Sequence, residues 1–310
     1  MLPAALAPMQ PVSKKDPFDH PDYIFQIKWD GVRLLSLVEE GSVRLQNRRL
    51  RDRSDAYPEL LFLPELLRAD GVVLDGEVIV PGVQGANFPA ILRREQAATK
   101  QRAVSLAREI PVCYLVFDLL FKNGKSIMNQ PLVERQRQLE EVLTADSIVY
   151  PVENFPSGRQ LFAAAKELGW EGIVAKHKKS PYLSGVRSKA WQKIKVRRQQ
   201  LCVVGGYLTS GTKLRSLLVG AWQGERLVFL GKVGAGLTVK EASLLQQKLP
   251  QLATLVCPFA PSAALPEAQW IQPVLPVIVE FSEWTEQLRL RAPSIVEFPQ
   301  IDPKDCRLEG

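Results

Sequence analysis

The sequence predicts an α+β fold in two parts: antiparallel sheets flanked by helices over residues 1–197, then a small β-barrel over 198–310. Short apolar, β-prone runs recur through the first part, and several of their connections are too short for a helical crossover. Stretches of helical period lie between some of them. Near KIKVRRQQ, residues 193–200, the pattern turns to short, Gly-punctuated, hairpin-spaced strands, so a domain boundary is expected near 196–200.

In chain order, the strand-like runs of the first part are YIFQIKW, VRLLSLV, VRLQ, VVLDGEVIV, PVCYLVFDLLF, SIVYPV and EGIVAK. PLVERQRQLEEVL places Leu132, Arg135/Gln136, Leu139 and Leu143 near helical spacing, with polar residues opposite. SGRQLFAAAKELG opens on Ser157 as a helix cap and stops at Gly169. KAWQKIK continues as a strand. Beyond the boundary, LCVVGGYLT, LRSLLVGAW, RLVFLGKVG and VIVEFSEWT read as strands and LTVKEASLLQQKL as a helix. The Pro- and Ala-rich residues 252–268 read as a long loop.

With 46% hydrophobic and 24% charged residues, the 310-residue chain can bury a core, and wholesale disorder is excluded. Forty Lys+Arg against 33 Asp+Glu give a net charge of +7, which permits a polyanionic partner without requiring one. Cys113, Cys202, Cys257 and Cys306 form no C-x2-C pair, and the histidines are His20 and His177 only. That spacing argues against structural zinc and for reduced thiols in the cytoplasm. No basic segment precedes the apolar start, and no run approaches the roughly 18 apolar residues a span requires, so neither a signal peptide nor a membrane helix is expected.

The candidate chemistry begins at IKWDGVR, residues 27–33. A free lysine has a pKa of about 10.4, so only roughly 1 in 2,500 is neutral at neutral pH. A nucleophilic Lys28 needs desolvation or neighbouring cations, and Arg33, Lys193 and Lys195 are the candidates. Taken alone, K-x-D-G-x-R would arise by chance in roughly 1 of 500 such chains, so the case rests on the other stretches. LDGEVIV sets Glu77 inside an apolar strand, where a carboxylate is costly unless paired or bound to metal. YLVFDLLF sets Phe117 in a buried run, and EGIVAK brings Glu171 and Lys176. KAWQKIK puts Lys193 and Lys195 on one strand face, where an anion such as phosphate would relieve their repulsion.

In order and spacing these stretches resemble the covalent nucleotidyltransferase superfamily of ATP-dependent DNA ligases, RNA ligases and mRNA-capping guanylyltransferases. KWDGVR is similar to its nucleophile motif, NRR at 47–49 to its arginine motif, and LDGEV, YLVFDLLF, EGIVAK and WQKIK to the later ones. The resemblance is closer to the ligase module of bacterial end-joining ligases of the ligase D type. It extends through FKNGKSIMNQPLVERQRQLEEVL, Ser180-Pro181-Tyr182, Gly185, Arg187-Ser188 and Trp191, then VVGGYL, GKVGAG and VEFSEWTEQLRLRAPS, from about residue 8 to about residue 304.

The resemblance implies an adenylation (nucleotidyltransferase) domain followed by an OB-fold domain, as a stand-alone ligase module. It implies that Lys28 is the catalytic nucleophile on ATP. Ile27, Asp30, Arg33, Arg48, Glu77, Phe117, Lys193 and Lys195 would bind the nucleotide, with Phe117 stacking on adenine. Glu77 and Glu171 would serve Mg2+ or Mn2+, and Arg48, Arg187, Lys232 and Arg291 would contact DNA. The implied partners are nicked duplex DNA and a Ku-like end-binding protein, for a monomeric, nucleoid-associated enzyme. The chain departs from the pattern at Gln26, where an acidic residue is usual, and at Arg49-Leu50, where Asn and Gly are usual. RAPS replaces RHPS around Arg291, and PQIDPKD lacks the arginine of an R-x-D-K signature, although Asp302 and Lys304 correspond. An RNA ligase, a guanylyltransferase, or a catalytically impaired OB-type nucleic-acid-binding protein remain as alternatives.

Overall fold

Both faces of the VRLLSLV and VVLDGEVIV strands are covered, which is why they read as nearly continuous apolar runs. The computed structural model describes residues 1–308 apart from 83, 84, 98, 262–264, 283 and 286. The chain forms two units, Met1–Val196 and Arg197–Gly310. Along the first run β1 (Gln10–Ser13), β2 (Tyr23–Ile27), β3 (Val32–Glu39), β4 (Ser42–Asn47), β5 (Val72–Ile79) and the short ribbon of β6 (Pro81–Gly82) and β7 (Gly85–Ala86). Helices α1 (Phe88–Glu95) and α2 (Lys100–Glu109) follow, then β8 (Cys113–Lys122), β9 (Lys125–Ser126), α3 (Leu132–Val142), β10 (Val149–Pro151), α4 (Gly158–Glu167), β11 (Gly172–His177) and β12 (Arg187–Lys195).

One sheet has the order β1-β12-β11-β2, the other β10-β8-β5-β3-β4 with β9 beside β8. The described pairs are antiparallel except β1 with β12 and β10 with β8. Strand alternation sorts the side chains into layers. Leu34, Leu74 and Tyr114 of the larger sheet pack with Ile91 of α1, Leu106 of α2 and Leu139 of α3. Leu35, Leu37 and Val73 turn the other way and meet Ile24 and Trp191 of the smaller sheet. Leu161 and Ala165 of α4 cover that sheet's far face through Phe25, Ile173 and Ile194.

The Ser157 cap is formed: its hydroxyl accepts from Gln160 N, and Gly169 adopts the left-handed conformation just past the helix end. The polar positions Arg135 and Gln136 of the α3 stripe are buried. Arg135 makes a bidentate pair with Asp118, at 2.8 and 2.7 Å. Helices α1 and α2 are additions to the elements expected from periodicity. Their signals are local: Asn87 caps α1 ahead of Pro89, and Thr99 caps α2.

The second unit holds β13 (Arg198–Ser210), β14 (Lys213–Gln223), β15 (Arg226–Val233), α5 (Val239–Lys248), β16 (Gln269–Phe281) and β17 (Ser294–Glu297). The expected OB-like unit is present, and its barrel is not closed: these strands form one antiparallel sheet, ordered β15-β14-β13-β16-β17. At four residues, β17 is too short to pair along β15. Single hydrogen bonds, Leu290 N to Leu230 O and Ile295 N to Ala235 O, bridge the gap, each 2.9 Å long. The expected helix is α5, closed by a Thr238–Glu241 capping box. Residues 262–264 of the expected loop, and Glu283 and Glu286 in and just after the expected strand VIVEFSEWT, lie outside the described residues.

Candidate active site

Lys28 sits where the chain crosses from one sheet to the other, between the end of β2 and the start of β3. Its amide donates to Gly172 O at 2.9 Å. Two glycines make this crossing possible. A Cβ on Gly31 would fall 2.3 Å from Val78 O, and one on Gly172 would fall 2.2 Å from Ile194 O. Glu171, next to Gly172, accepts from Lys28 Nζ at 2.6 Å and from Lys195 Nζ at 2.5 Å. Burial works to lower the pKa of Lys28, but Glu171, Glu77 and Asp30 outweigh it and hold the amine in its charged form.

This revises the electrostatics expected for Lys28. Arg33, expected as a cation that would weaken the lysine's charge, spends its fork on Asp75 at 2.8 and 2.6 Å. Its remaining nitrogen donates to Met9 O at 2.6 Å. The Tyr182 hydroxyl completes the group by donating to Asp75 at 2.7 Å. Carboxylates, not cations, therefore dominate around Lys28. Glu77, half-buried on β5, is pushed up to about 7 by desolvation, with Lys28 and Arg33 pulling it back.

Phe117 reaches the site through a β-bulge. Asp75 pairs with Asp118 and Gly76 with Val116, which leaves Phe117 as an extra residue of β8. Its ring meets Trp191 edge-on, with centroids 6.1 Å apart. Lys176 lies against both rings, its Nζ 4.0 Å from the Phe117 centroid and 4.1 Å from that of Trp191. That ammonium is buried and finds no hydrogen-bond partner among the described residues. Desolvation lowers its pKa to about 7, against the pull of Asp118 and Asp75. EGIVAK reads as a strand start, and no signal in it marks Lys176 as buried.

A cavity of about 960 Å³ gathers Ile27, Lys28, Asp30, Arg33, Arg48, Glu77, Phe117, Glu171, Arg187, Lys193 and Lys195 on one wall or another. Lys193 lies opposite Val174 and Lys195 opposite Gly172, the two-residue spacing expected of a shared face. Burial, Lys195 and Lys28 all lower the pKa of Lys193. Arg48 stands on a turn ordered by Asn47, whose Oδ1 accepts from the amides of Arg49 and Arg51. Arg51 and Arg53, which no motif singles out, line the same cavity. Lys232 and Arg291 belong to the second unit and are not among its lining residues. In that unit Asp302 caps the turn carrying Lys304, and Trp222 Nε1 anchors it through Pro303 O at 2.9 Å.

The donor set suits a hard divalent cation only in part. Glu77 and Glu171 offer carboxylate oxygens, and a carboxylate as desolvated as Glu77 would be stabilised by a cation. Among the described residues, no group of three or more His, Cys, Asp or Glu side chains is placed to hold a metal. Such a site fits Mg2+ or Mn2+ that takes its other ligands from water and substrate phosphates.

Residues 6–195 match the family described as ATP dependent DNA ligase domain, and residues 210–299 match ATP dependent DNA ligase C terminal region. The chain is 33% identical over 279 residues to the multifunctional non-homologous end joining DNA repair protein LigD of Mycobacterium tuberculosis, covering 88% of this chain and 35% of that one. It therefore spans about a third of the length of such relatives. It is 36% identical over 191 residues to the SPbeta prophage-derived DNA ligase-like protein LigB of Bacillus subtilis, covering 61% of this chain and 67% of that one. A solved structure of mycobacterial DNA ligase D complexed with ATP and MES is 32% identical with a TM-score of 0.57, covering 98% of both chains. With both ligase regions matched in order, the chain belongs to the ATP-dependent DNA ligase family.

Proposed function

We propose that this chain seals nicks in duplex DNA with ATP, through an AMP covalently held on Lys28. Lys28 Nζ, once deprotonated, attacks the α-phosphorus, forming a phosphorus–nitrogen bond as the bond to the bridging oxygen breaks and pyrophosphate leaves. The 5′-phosphate of the nick then attacks the same phosphorus, freeing Lys28 and giving DNA-adenylate. Attack by the 3′-hydroxyl on the 5′-phosphate closes the backbone and releases AMP. What supports this reading most is that Lys28, Glu171 and Lys195 meet within hydrogen-bond distance in one cavity with Glu77 and Phe117.

In this reading Phe117 stacks on adenine, and Ile27, Asp30 and Arg33 order the nucleotide. Lys193 and Lys195 clamp the α-phosphate and offset charge that builds in the transition state. Glu77 and Glu171 hold Mg2+ or Mn2+, which neutralises phosphate charge when bound. Arg48 and Arg187 take phosphates of the nicked strand at the cavity, and Lys232 and Arg291 take others on the second unit. The chain works as a cytoplasmic, nucleoid-associated monomer, and like its LigD relatives it acts in end joining, with a Ku-like end-binding protein as recruiting partner. The hinge at 196–200 lets the second unit, residues 198–310, change position between steps.

The relatives are named as end-joining or DNA ligase proteins, which favours DNA over RNA ligation, guanylyl transfer or binding without catalysis. The test is incubation with Mg2+ and α-labelled ATP, denaturation, and a chase with nicked DNA. Label should appear on the protein, be absent from Lys28→Ala, and leave during the chase as sealed product forms. Label retained by Lys28→Ala would sink the covalent mechanism.

A further inference from the structure

Three amide side chains that these steps leave unused form a continuous chain. Gln136 Nε2 of α3 donates to the main-chain oxygen of Phe117 at 3.3 Å. Asn154 Nδ2 donates to Gln136 Oε1 at 3.1 Å. Gln26 Nε2 of β2 donates to Asn154 Oδ1 at 2.8 Å. Gln26 is buried, lies opposite Val174 across the β2–β11 pairing, and lines the cavity beside Phe117.

A single amide can be turned end for end without changing its shape. This series cannot, because it starts on a main-chain carbonyl, which only accepts. That carbonyl requires the nitrogen of Gln136, which sends its oxygen to Asn154. Asn154 must then offer nitrogen to Gln136 and oxygen to Gln26. Gln26 commits its nitrogen in turn. Its Oε1 accepts no hydrogen bond among the described residues and is left for the cavity.

We propose that Gln136 and Asn154 are positioning residues for base selection: they carry the polarity of the Phe117 carbonyl to Gln26 and lock its Oε1 as an acceptor toward the nucleobase. The inference rests on reading this cavity as the nucleotide site. A purine with an exocyclic amino group can donate to that oxygen. A purine with a carbonyl there sets two acceptors face to face with no proton between them, and desolvated acceptors left unpaired are penalised.

Nucleotide preference is measured on the full chain in two ways, by labelling rate and by equilibrium binding of ATP and GTP. Asn154 is exposed, so its substitution spares the core. Asn154→Ala should reduce the preference for ATP over GTP about tenfold, the worth of one oriented hydrogen bond. Asn154→Asp loses the donor to Gln136 but still accepts from Gln26, so it should keep most of the preference. Gln26→Glu, whose two oxygens have no polarity to set, should restore it in the Asn154→Ala background. Equal loss of both nucleotides in Asn154→Ala, or an Asn154→Asp change as damaging as Asn154→Ala, overturns the proposal. A preference that shifts in binding while no label forms upholds the relay and refutes the covalent reading instead.

Discussion

Lys195 and Lys28 share one carboxylate, each ammonium on its own oxygen of Glu171, at 2.5 and 2.6 Å. The arrangement keeps Lys28 charged, so in the proposed mechanism it attacks only after a proton leaves. An incoming polyphosphate competes with Glu171 for both ammonium groups and can loosen this hold.

Replacing Glu171 by Gln removes the leading influence that raises Lys28. The acid limb of the labelling rate against pH should move to lower pH, with a lower plateau from lost positioning. Initial rates of label transfer across pH test this, and an unmoved limb would contradict it.

Desolvation pushes Glu77 up to about 7 in the fold, above its ordinary value of 4.5. Between those values the folded chain holds more protons than the unfolded one, so Glu77's contribution is complete at low pH and fades as pH rises through about 7. Glu77→Gln should therefore raise the urea midpoint more at about pH 8 than at about pH 5.

Lys176 slopes the other way. Its folded value, about 7, lies below the ordinary 10.5, so the unfolded chain binds the extra proton across that window and stability rises with pH. Lys176→Met keeps a polarizable contact with Phe117 and Trp191 and should flatten this rise. Denaturant midpoints on the alkaline side of neutrality measure it.

Asp118 and Arg135 are both fully buried and satisfy each other. Arg135→Leu leaves the carboxylate alone and should cost about 3–5 kcal/mol in chemical denaturation. The double change Asp118→Leu with Arg135→Leu should recover much of that loss.

DNA binding should weaken with salt, log K falling against log[salt] by about 0.9 per phosphate neutralised. Arg48→Ala should lower that slope by about one, and a flat response would contradict a backbone-directed contact.

Much of the site is legible in the amino-acid order alone, because its residues sit in short strings whose local geometry is dictated by type. Asp30-Gly31 demands a tight crossing, and the two-residue step of Lys193 and Lys195 demands a shared face. The rest depends on contacts between distant segments. The burial of Lys176 follows from Phe117 and Trp191, which lie on other strands. The Asp75–Arg33 pair, which removes Arg33 as a free cation, spans 42 positions. Helix α2 is rich in charge and its apolar stripe is thin, Ala103 and Leu106 with Ile110 just past its end, so its Thr99 cap is its clearest mark. The second unit is OB-like as expected, but strand count says nothing of whether the outermost strands are long enough to close the sheet into a barrel.

The bulge at Phe117, with a second at Leu120, also divides β8 into three frames. Before it, the even positions Tyr114 and Val116 enter the core under α1 to α3; after it, the odd position Leu119 does. Leu120 and Phe121 turn toward the smaller sheet along with Phe117. Removing one residue here would not shorten a loop. It would put the distal half of the strand out of step, exchange core for cavity from Asp118 onward, and separate the Arg135 anchor from its carboxylate. Length at this position is thus constrained by the register it sets for the rest of the strand.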